Sequence, residues 1–173
     1  MPDETQTQSR PQALSAARPP LDFQQHLANL EAQGLLVRIE RPIDKDTELH
    51  PLVRWQFLGG IAQEQRRAFL FTHVVDPKGR RYDIPVAVGG PGSSAGSYSA
   101  GMGKPVDAIG ATWMRAIANP VPPISVDSPV CQQVVIDRAA LKEPGGGLAL
   151  LPVPISTPGF DAAPYLTATL CVT

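Results

Sequence analysis

A chain of 173 residues, of which 43% are hydrophobic and 18% charged, can form one domain, or one domain and part of a second, and is not globally disordered. Its net charge of -1 argues against binding to nucleic acid or to an anionic membrane, and no apolar run approaches the roughly 20 residues that span a bilayer. The two cysteines, Cys131 and Cys171, fit no metal or redox spacing, which favours buried thiols in a reducing, cytoplasmic compartment.

The chain opens with a polar segment and then a capped helix. Residues 1–20 are rich in Gln, Ser, Pro, Ala and Thr and lack periodicity, which predicts a disordered tail. Asp22 predicts the N-cap of a first helix, and Gln25 completes a capping box. Three apolar residues share one face of this helix: Phe23, Leu27 and Leu30. Gly34 then ends the helix in the left-handed conformation.

A strand and a second helix follow Gly34. Alternate residues of the strand are predicted to point inward: Leu35, Val37 and Ile39. The helix is predicted from about residue 47 to residue 58, with Pro51 tolerated in its first turn. Four apolar residues are predicted to form its inner face: Leu49, Leu52, Val53 and Phe57. A catalytic role for Glu48 or His50 is the weaker alternative, because the helix dipole explains a carboxylate at a helix start.

The middle of the chain predicts a hairpin. Residues 66–75 and 82–88 are expected to pair, and residues 76–79 carry proline and glycine at the positions typical of a type I turn. Pro85 lacks a backbone donor and therefore places the second segment near a sheet edge.

Residues 89–104 are rich in glycine and serine and invite comparison with a phosphate-binding loop. That motif requires a glycine where Tyr98 stands and a serine or threonine where Pro105 follows Lys104, so it fails twice. The segment is therefore interpreted as a small-residue surface segment with a helix around residues 94–102. A nucleotide-binding domain built on this loop is the least favoured function.

The next elements are a helix and an extended linker. The helix is predicted over residues 106–119, with an apolar stripe formed by Val106, Ile109, Trp113 and Ile117. Residues 120–129 are proline-rich and form the best domain boundary in the chain. A strand over residues 130–136, a helical turn over 138–141 and a flexible glycine segment complete this part.

The last stretch is a proline track followed by a strand. Prolines in LPVPISTPGF fix the backbone in an extended form. Residues 165–173 alternate in character, which predicts a strand with Thr167 and Thr169 on its polar face. No turn signal closes this strand, and we therefore expect the chain to be part of a longer protein.

Together these elements predict an α+β fold. Residues 21–119 form an N-terminal α/β domain with a β-hairpin, residues 120–129 a linker, and residues 130–173 the start of a second, β-rich unit. The three histidines have no ligand spacing, and the residues alone form no catalytic constellation.

Four stretches in this order resemble the UbiD family of prenylated-FMN-dependent decarboxylases: GLLVRI, AFLF, LLPVPI and YLT. The pattern from Leu21 to Ile39 is similar to the usual opening of that family. The family loop also carries an arginine after Gly-Ser, whereas Gly92 and Ser93 are not followed by one. The resemblance implies that residues 130–173 begin a split-β-barrel-like cofactor domain.

The resemblance also implies a function for the whole protein. Such enzymes remove CO2 from aromatic, heteroaromatic or α,β-unsaturated carboxylic acids, with prenylated FMN as the electron sink, Mn²⁺ and K⁺ as ions, and a dimer or hexamer as the homo-oligomer. The catalytic and metal-binding residues of the family follow the YLT strand, so none is expected here and the chain alone should be inactive. Thr167 and Thr169 are the residues nearest to a cofactor, although cross-strand hydroxyl pairs explain them equally well. A non-catalytic accessory or assembly subunit derived from the same domain is the alternative.

Overall fold

Residues 19–129, 132–157 and 159–164 are described by a computed structural model. Four α-helices occur in this part of the chain: α1 (Phe23–Ala32), α2 (Leu49–Leu58), α3 (Ala95–Met102) and α4 (Ile109–Ala118). Its strands are β1 (Leu36–Ile39), β2 (Ile43–Asp44), β3 (Ala68–Phe71), β4 (Val74–Val75), β5 (Arg81–Tyr82) and β6 (Val86–Val88). The predicted α+β class is thereby confirmed.

Helix α1 begins where the sequence predicts. The Asp22 carboxylate accepts a hydrogen bond from the backbone N–H of Gln25 at 2.7 Å, and the Gln25 side chain accepts one from the backbone N–H of Leu21 at 2.6 Å. Leu27 and Leu30 of the predicted apolar stripe are buried, whereas Phe23 is 51% exposed. Phe23 lies in the first turn of the helix, with its ring beside Gly90.

The strands form two small mixed sheets. One has the order β1-β3-β6, with β1 parallel and β6 antiparallel to β3, and the other has the order β2-β4-β5. The two antiparallel pairs, β3 with β6 and β4 with β5, confirm the predicted hairpin. Strand β6 lies at the edge of its sheet, as Pro85 predicts, and the turn is closed by a hydrogen bond from Gly79 N–H to the Asp76 carbonyl at 2.9 Å.

Both faces of the first sheet are covered, and of the inward set predicted for β1, Leu35 and Ile39 pack against the cores whereas the assignment of Val37 is wrong. On the α1 side lies an apolar cluster of Leu27, Leu30, Leu36, Ala68 and Leu70. On the α2 side lies a second cluster of Ile43, Leu49, Val53, Phe71 and Val74. Leu36 pairs in register with Ala68 and is buried with it, whereas Val37 is 37% exposed. A strand covered on both faces buries residues of both parities, so alternation alone does not identify the inward set.

On the inner face of α2 a polar residue is buried, and two of the four apolar residues predicted there are exposed. Leu49 and Val53 are buried as expected, but Leu52 is 37% and Phe57 42% exposed, so their inward assignment is wrong. The third buried position is Gln56, whose carboxamide is fully hydrogen-bonded to the backbone beside β3. The buried stripe therefore follows the i, i+4, i+7 spacing, but with a polar third member.

The serine-rich segment is packed rather than exposed, which corrects its interpretation as a surface segment. Helix α3 forms where it was predicted, and the structure shows Ser94 as its N-cap and Gly103 at its end with φ of 59°. Ser93 and Ser97 are almost completely buried because α3 packs against α1. Small side chains permit this close approach between two helices.

Helix α4 forms as predicted but buries none of its residues within the described part of the chain. A 3-10 turn over Val106–Ala108 leads into it. Two residues of its predicted stripe, Trp113 and Ile117, are 49% and 70% exposed. The apolar face of α4 is therefore open in the described structure.

The region after the linker contains turns and extended segments. No strand forms over residues 132–136, so that part of the predicted strand 130–136 is wrong, while residues 130 and 131 lie outside the described ranges. Val134 and Val135 are about four-fifths exposed, and no strand of the described residues pairs with them. The predicted helical turn appears as a 3-10 turn over Ala140–Lys142. In the proline track, Pro152 and Pro154 are buried, and the Val153 N–H donates to the Leu151 carbonyl at 2.8 Å, which closes a tight turn at Pro152.

Candidate functional site

The two predicted cofactor neighbours, Thr167 and Thr169, lie outside the described residues, as does the whole predicted strand over residues 165–173. The described chain reaches residue 164, immediately before that strand. The candidate site is therefore the place where the chain that leads into the strand contacts the N-terminal fold. We call residues 156, 157 and 159–161 the lead-in loop.

Arg54 on α2 makes this contact. Its Nη2 atom donates to the Ser156 carbonyl at 3.0 Å, to Ser156 Oγ at 3.3 Å and to Thr157 Oγ1 at 2.7 Å. The side chain is positioned by its helix, because the preceding residue, Val53, is 5% exposed in the α2-side cluster. Sequence reasoning missed Arg54, since nothing local signals a partner that is 102 residues away.

The lead-in loop closes on itself through Thr157 and Asp161. The Thr157 N–H donates to the Asp161 carboxylate, and the N–H groups of Phe160 and Asp161 both donate to the Thr157 carbonyl at 3.0 Å. These bonds form a compact turn that requires no regular secondary structure. Fixing Thr157 therefore also fixes Asp161, at the end of the loop nearest to the predicted strand.

His50 lies on α2 one turn before Arg54 and is half-buried. Burial lowers the pKa of its imidazole below the ordinary value, the positive charge of Arg54 lowers the pKa further, and the carboxylate of Asp161 opposes both. The neutral form of the imidazole is therefore favoured near pH 7. The two charges that act on it, those of Arg54 and Asp161, both belong to residues of the contact between α2 and the lead-in loop.

Glu48 has a structural explanation, as the sequence suggests. Its carboxylate accepts a hydrogen bond from the Asp44 N–H at 2.9 Å and forms an ion pair with Arg41 at 3.2 Å. These contacts join the start of α2 to the end of β2. Among the described residues, the Glu48 side chain makes hydrogen bonds to Asp44 and Arg41 and to no other residue.

The glycine- and serine-rich loop has no free hydroxyls at the start of α3. Ser97 Oγ lies 2.7 Å from Ser93 Oγ and 3.1 Å from Ser94 Oγ, and Ser94 Oγ also accepts from the Ser97 N–H. Because these groups are buried and bonded to each other, they do not form a phosphate cradle. The nucleotide-binding alternative therefore finds no support in this geometry.

Surface cavities also lie away from the lead-in loop. One, of about 260 Å³, is lined by Thr72, His73, Val74, Val75, Arg81, Tyr82 and Asp83. Another, of about 340 Å³, lies between α1 and α3 and is mostly apolar, with His26 at its wall. His26 Nε2 donates to the Gly90 carbonyl at 3.2 Å, and the buried Nδ1 has no hydrogen-bond partner among the described residues. In the first cavity, Thr72 Oγ1 lies 3.1 Å from His73 Nδ1 but also donates to the Ile39 carbonyl at 3.2 Å, so the single proton of this hydroxyl is directed at the backbone and not at the imidazole.

Two negative findings apply to the described residues alone. They contain no group of three or more His, Cys, Asp or Glu side chains arranged to hold a metal ion. None of their helices combines the length and the apolar character that crossing a bilayer requires.

Comparison with known proteins shows a similarity to a solved structure. Neither a protein-family model nor a curated protein matches the chain. The fold is similar to the structure of the UbiD-class enzyme HmfF from Pelotomaculum thermopropionicum in complex with FMN, with 28% sequence identity and a TM-score of 0.57 over 84% of this chain. The chain spans 29% of the length of that enzyme chain. Its α+β fold is consistent with the N-terminal α/β portion of a UbiD-like fold.

Proposed function

We propose that this chain is the N-terminal part of a UbiD-like non-oxidative carboxy-lyase. The observation that carries the proposal is the similarity, at 28% identity and a TM-score of 0.57, to a UbiD-class enzyme in complex with FMN. The order of the GLLVRI, AFLF, LLPVPI and YLT stretches agrees with it. The substrate class we propose is an aromatic, heteroaromatic or α,β-unsaturated carboxylic acid.

The proposed cofactor is prenylated FMN, with Mn²⁺ and K⁺ near its phosphate. When bound, the cofactor supplies the electron sink that stabilises the carbanion left by the loss of CO2. The described residues do not fit the ion site, because they offer no cluster of hard side-chain ligands. We therefore assign ion and phosphate binding to other parts of the whole protein, and expect the 173-residue chain to be inactive alone.

The role proposed for this chain is to hold and direct the polypeptide that enters the cofactor region. The sheet and α2 form the packed frame, with Leu49, Val53 and Phe71 at its centre. The lead-in loop is bonded to that frame through Arg54. Thr167 and Thr169 follow on the predicted strand, where their hydroxyls are proposed to lie beside the cofactor.

Expression of the complete coding sequence tests the proposal. The purified protein, supplied with prenylated FMN and Mn²⁺, should release CO2 from at least one member of a panel of aromatic, heteroaromatic and unsaturated acids. A coding sequence that ends without an Asn and Arg pair, a His and a Glu after the strand would contradict it. So would a complete protein that takes up no flavin.

The accessory-subunit alternative has one observation in its favour. Helix α4 exposes Trp113, Met114 and Ile117 by about half or more, and an assembly interface would cover such a face. Under this alternative, the 173-residue chain alone would be monodisperse and unfold cooperatively, and the complete gene product would lack flavin. Sedimentation and flavin absorbance on the same preparation distinguish the two functions.

A further inference from the structure

The cavity between α1 and α3 has a buried nitrogen atom in its wall that no group of the described residues satisfies. His26 Nε2 donates to the Gly90 carbonyl at 3.2 Å, and a neutral imidazole then carries its single proton on that atom. Nδ1 therefore offers only a lone pair, and it has no hydrogen-bond partner among the described residues. Because His26 is 5% exposed, the lone pair is buried in the empty cavity at a cost that a ligand donor would remove.

A gap lies beside this nitrogen atom, on the side of Gly101. His26 and Gly101 both line the cavity, and a Cβ at Gly101 would lie 3.6 Å from Nδ1 and 3.2 Å from Cε1 of the imidazole. Apart from the adjoining residues of α3, the three heavy atoms nearest to that point all belong to the His26 ring. No other side chain from outside α3 fills the gap, so the missing Cβ leaves space for a small group against the lone pair.

The rest of the cavity suits a flat and uncharged ring. Its volume of about 340 Å³ is near the lower end for ligand sites, which favours a small molecule. Its apolar walls are formed by Pro20, Phe23, Pro91, Tyr98 and Met102. Aromatic rings and a thioether make favourable contacts with an aromatic ligand. The Tyr98 wall is fixed, because its hydroxyl accepts a hydrogen bond from Nε1 of Trp113 at 2.8 Å.

Charge at the cavity excludes an anionic ligand. Asp22 is one of the lining residues, and none of the lining residues is Lys or Arg. A carboxylate ligand would therefore meet a like charge and no counter-charge, in a site that removes part of its water. Carboxylic acids are anions at neutral pH, so the substrates of the proposed function do not fit here.

We infer that this cavity binds a small, neutral aromatic molecule that carries one O–H or N–H donor. The donor enters the gap beside Gly101 and bonds to Nδ1 of His26, while the aromatic ring lies against the apolar walls. This inference does not depend on the proposed function, because every residue that carries it lies on α1, on α3 or in the segments that adjoin them.

The test is the binding of phenol to the complete protein, measured by isothermal titration calorimetry. We expect a dissociation constant of about 1 mM or below for a ligand of this size. Toluene has nearly the same shape but no donor, and it should bind about fivefold more weakly because it leaves Nδ1 without a partner. Gly101→Ala places a methyl group in the gap and should weaken phenol binding about tenfold or more.

Gly110→Ala is the matched control. Gly110 is also a helical glycine, on α4, and a Cβ there would meet no atom within 4 Å. It should leave phenol affinity unchanged, and neither variant should lower the melting temperature by more than about 3 °C, because alanine favours a helix more than glycine does. The comparison of phenol with toluene needs no variant, so it tests the inference even if Gly101→Ala folds poorly.

Equal phenol affinity in wild type and Gly101→Ala would mean that phenol binds elsewhere, and it would overturn the inference. A wild-type protein that binds no phenol at millimolar concentration, or that prefers toluene, would overturn it too, because Nδ1 would then accept no ligand donor. So would an equal loss of affinity in Gly101→Ala and Gly110→Ala. None of these results affects the proposed function, which is tested separately by flavin uptake and release of CO2.

Discussion

Gln56 on α2 is hydrogen-bonded to both backbone groups of Arg67, immediately before β3. Its Nε2 donates to the Arg67 carbonyl at 2.9 Å, and its Oε1 accepts from the Arg67 N–H at 2.8 Å. The side chain is 5% exposed, so water does not replace these partners easily. One carboxamide thus fixes the helix that carries Arg54 against the central strand of the sheet.

Gln56→Leu should lower the free energy of unfolding by about 1–3 kcal/mol, because it leaves a backbone donor and an acceptor without partners. Urea denaturation followed by circular dichroism measures the change. Gln65→Leu, on an exposed residue of the following 3-10 turn, is the control and should change the free energy by less than about 0.5 kcal/mol. Equal midpoints for Gln56→Leu and the wild type would show that the bidentate contact does not hold the helix.

Replacing Phe71 tests whether the apolar cluster on the α2 side of the sheet is a second hydrophobic core. It is fully buried, and its ring stacks on Phe69 with 5.9 Å between centroids. Phe71→Ala should lower the free energy of unfolding by about 3–5 kcal/mol through lost burial and the cavity left behind. Phe160→Ala, at a side chain that is 91% exposed, should cost less than about 0.5 kcal/mol. Similar losses for both variants would contradict the two-core arrangement.

Helix starts and turns could be predicted from the sequence because they depend on residues that are close together along the chain. The Asp22 cap and the turn closed by Gly79 are both local and are both present. It was harder to predict which residues of β1 and α2 face the core. Leu36 replaces Val37 and Gln56 replaces Phe57 as buried residues, because helices from elsewhere in the chain determine which face is covered.

The candidate site was less accessible to sequence reasoning than the fold. Motif order predicted the similarity to a UbiD-class enzyme, which the structural comparison supports. Arg54 carried no signal, because its partners at Ser156 and Thr157 are set by tertiary packing. The predicted neighbours of the cofactor, Thr167 and Thr169, stay a prediction.

The serine cluster at the start of α3 should be structural. Ser97 is fully buried, and its hydroxyl lies within hydrogen-bond distance of those of Ser93 and Ser94. Ser97→Ala should lower the free energy of unfolding by about 1–3 kcal/mol, because the buried Ser93 hydroxyl loses its partner. Ser128→Ala, at an exposed position, is the control for thermal denaturation. An unchanged melting temperature in Ser97→Ala would mean that the cluster does not support α3.

His50 should make stability depend on pH. The folded-state pKa of its imidazole is lowered, first by burial and then by Arg54, below the ordinary value of 6.5. As pH falls below about 6.5, the unfolded state binds a proton that the folded state resists, so the free energy of unfolding decreases until the folded pKa is reached. At pH 7.5 both states are neutral at this residue and no such loss occurs.

His50→Gln should therefore remove part of the decline in stability between pH 7.5 and pH 5.5, a range above the ordinary pKa of most carboxylates. Urea midpoints for wild type and variant, measured at half-unit steps of pH, give the two slopes. The urea midpoint of the wild type should fall more steeply than that of His50→Gln as the pH is lowered. Above pH 7 the two midpoints should change with pH in the same way. Parallel curves over the whole range would show that the imidazole titrates alike in both states, and that burial beside Arg54 does not disfavour its charge.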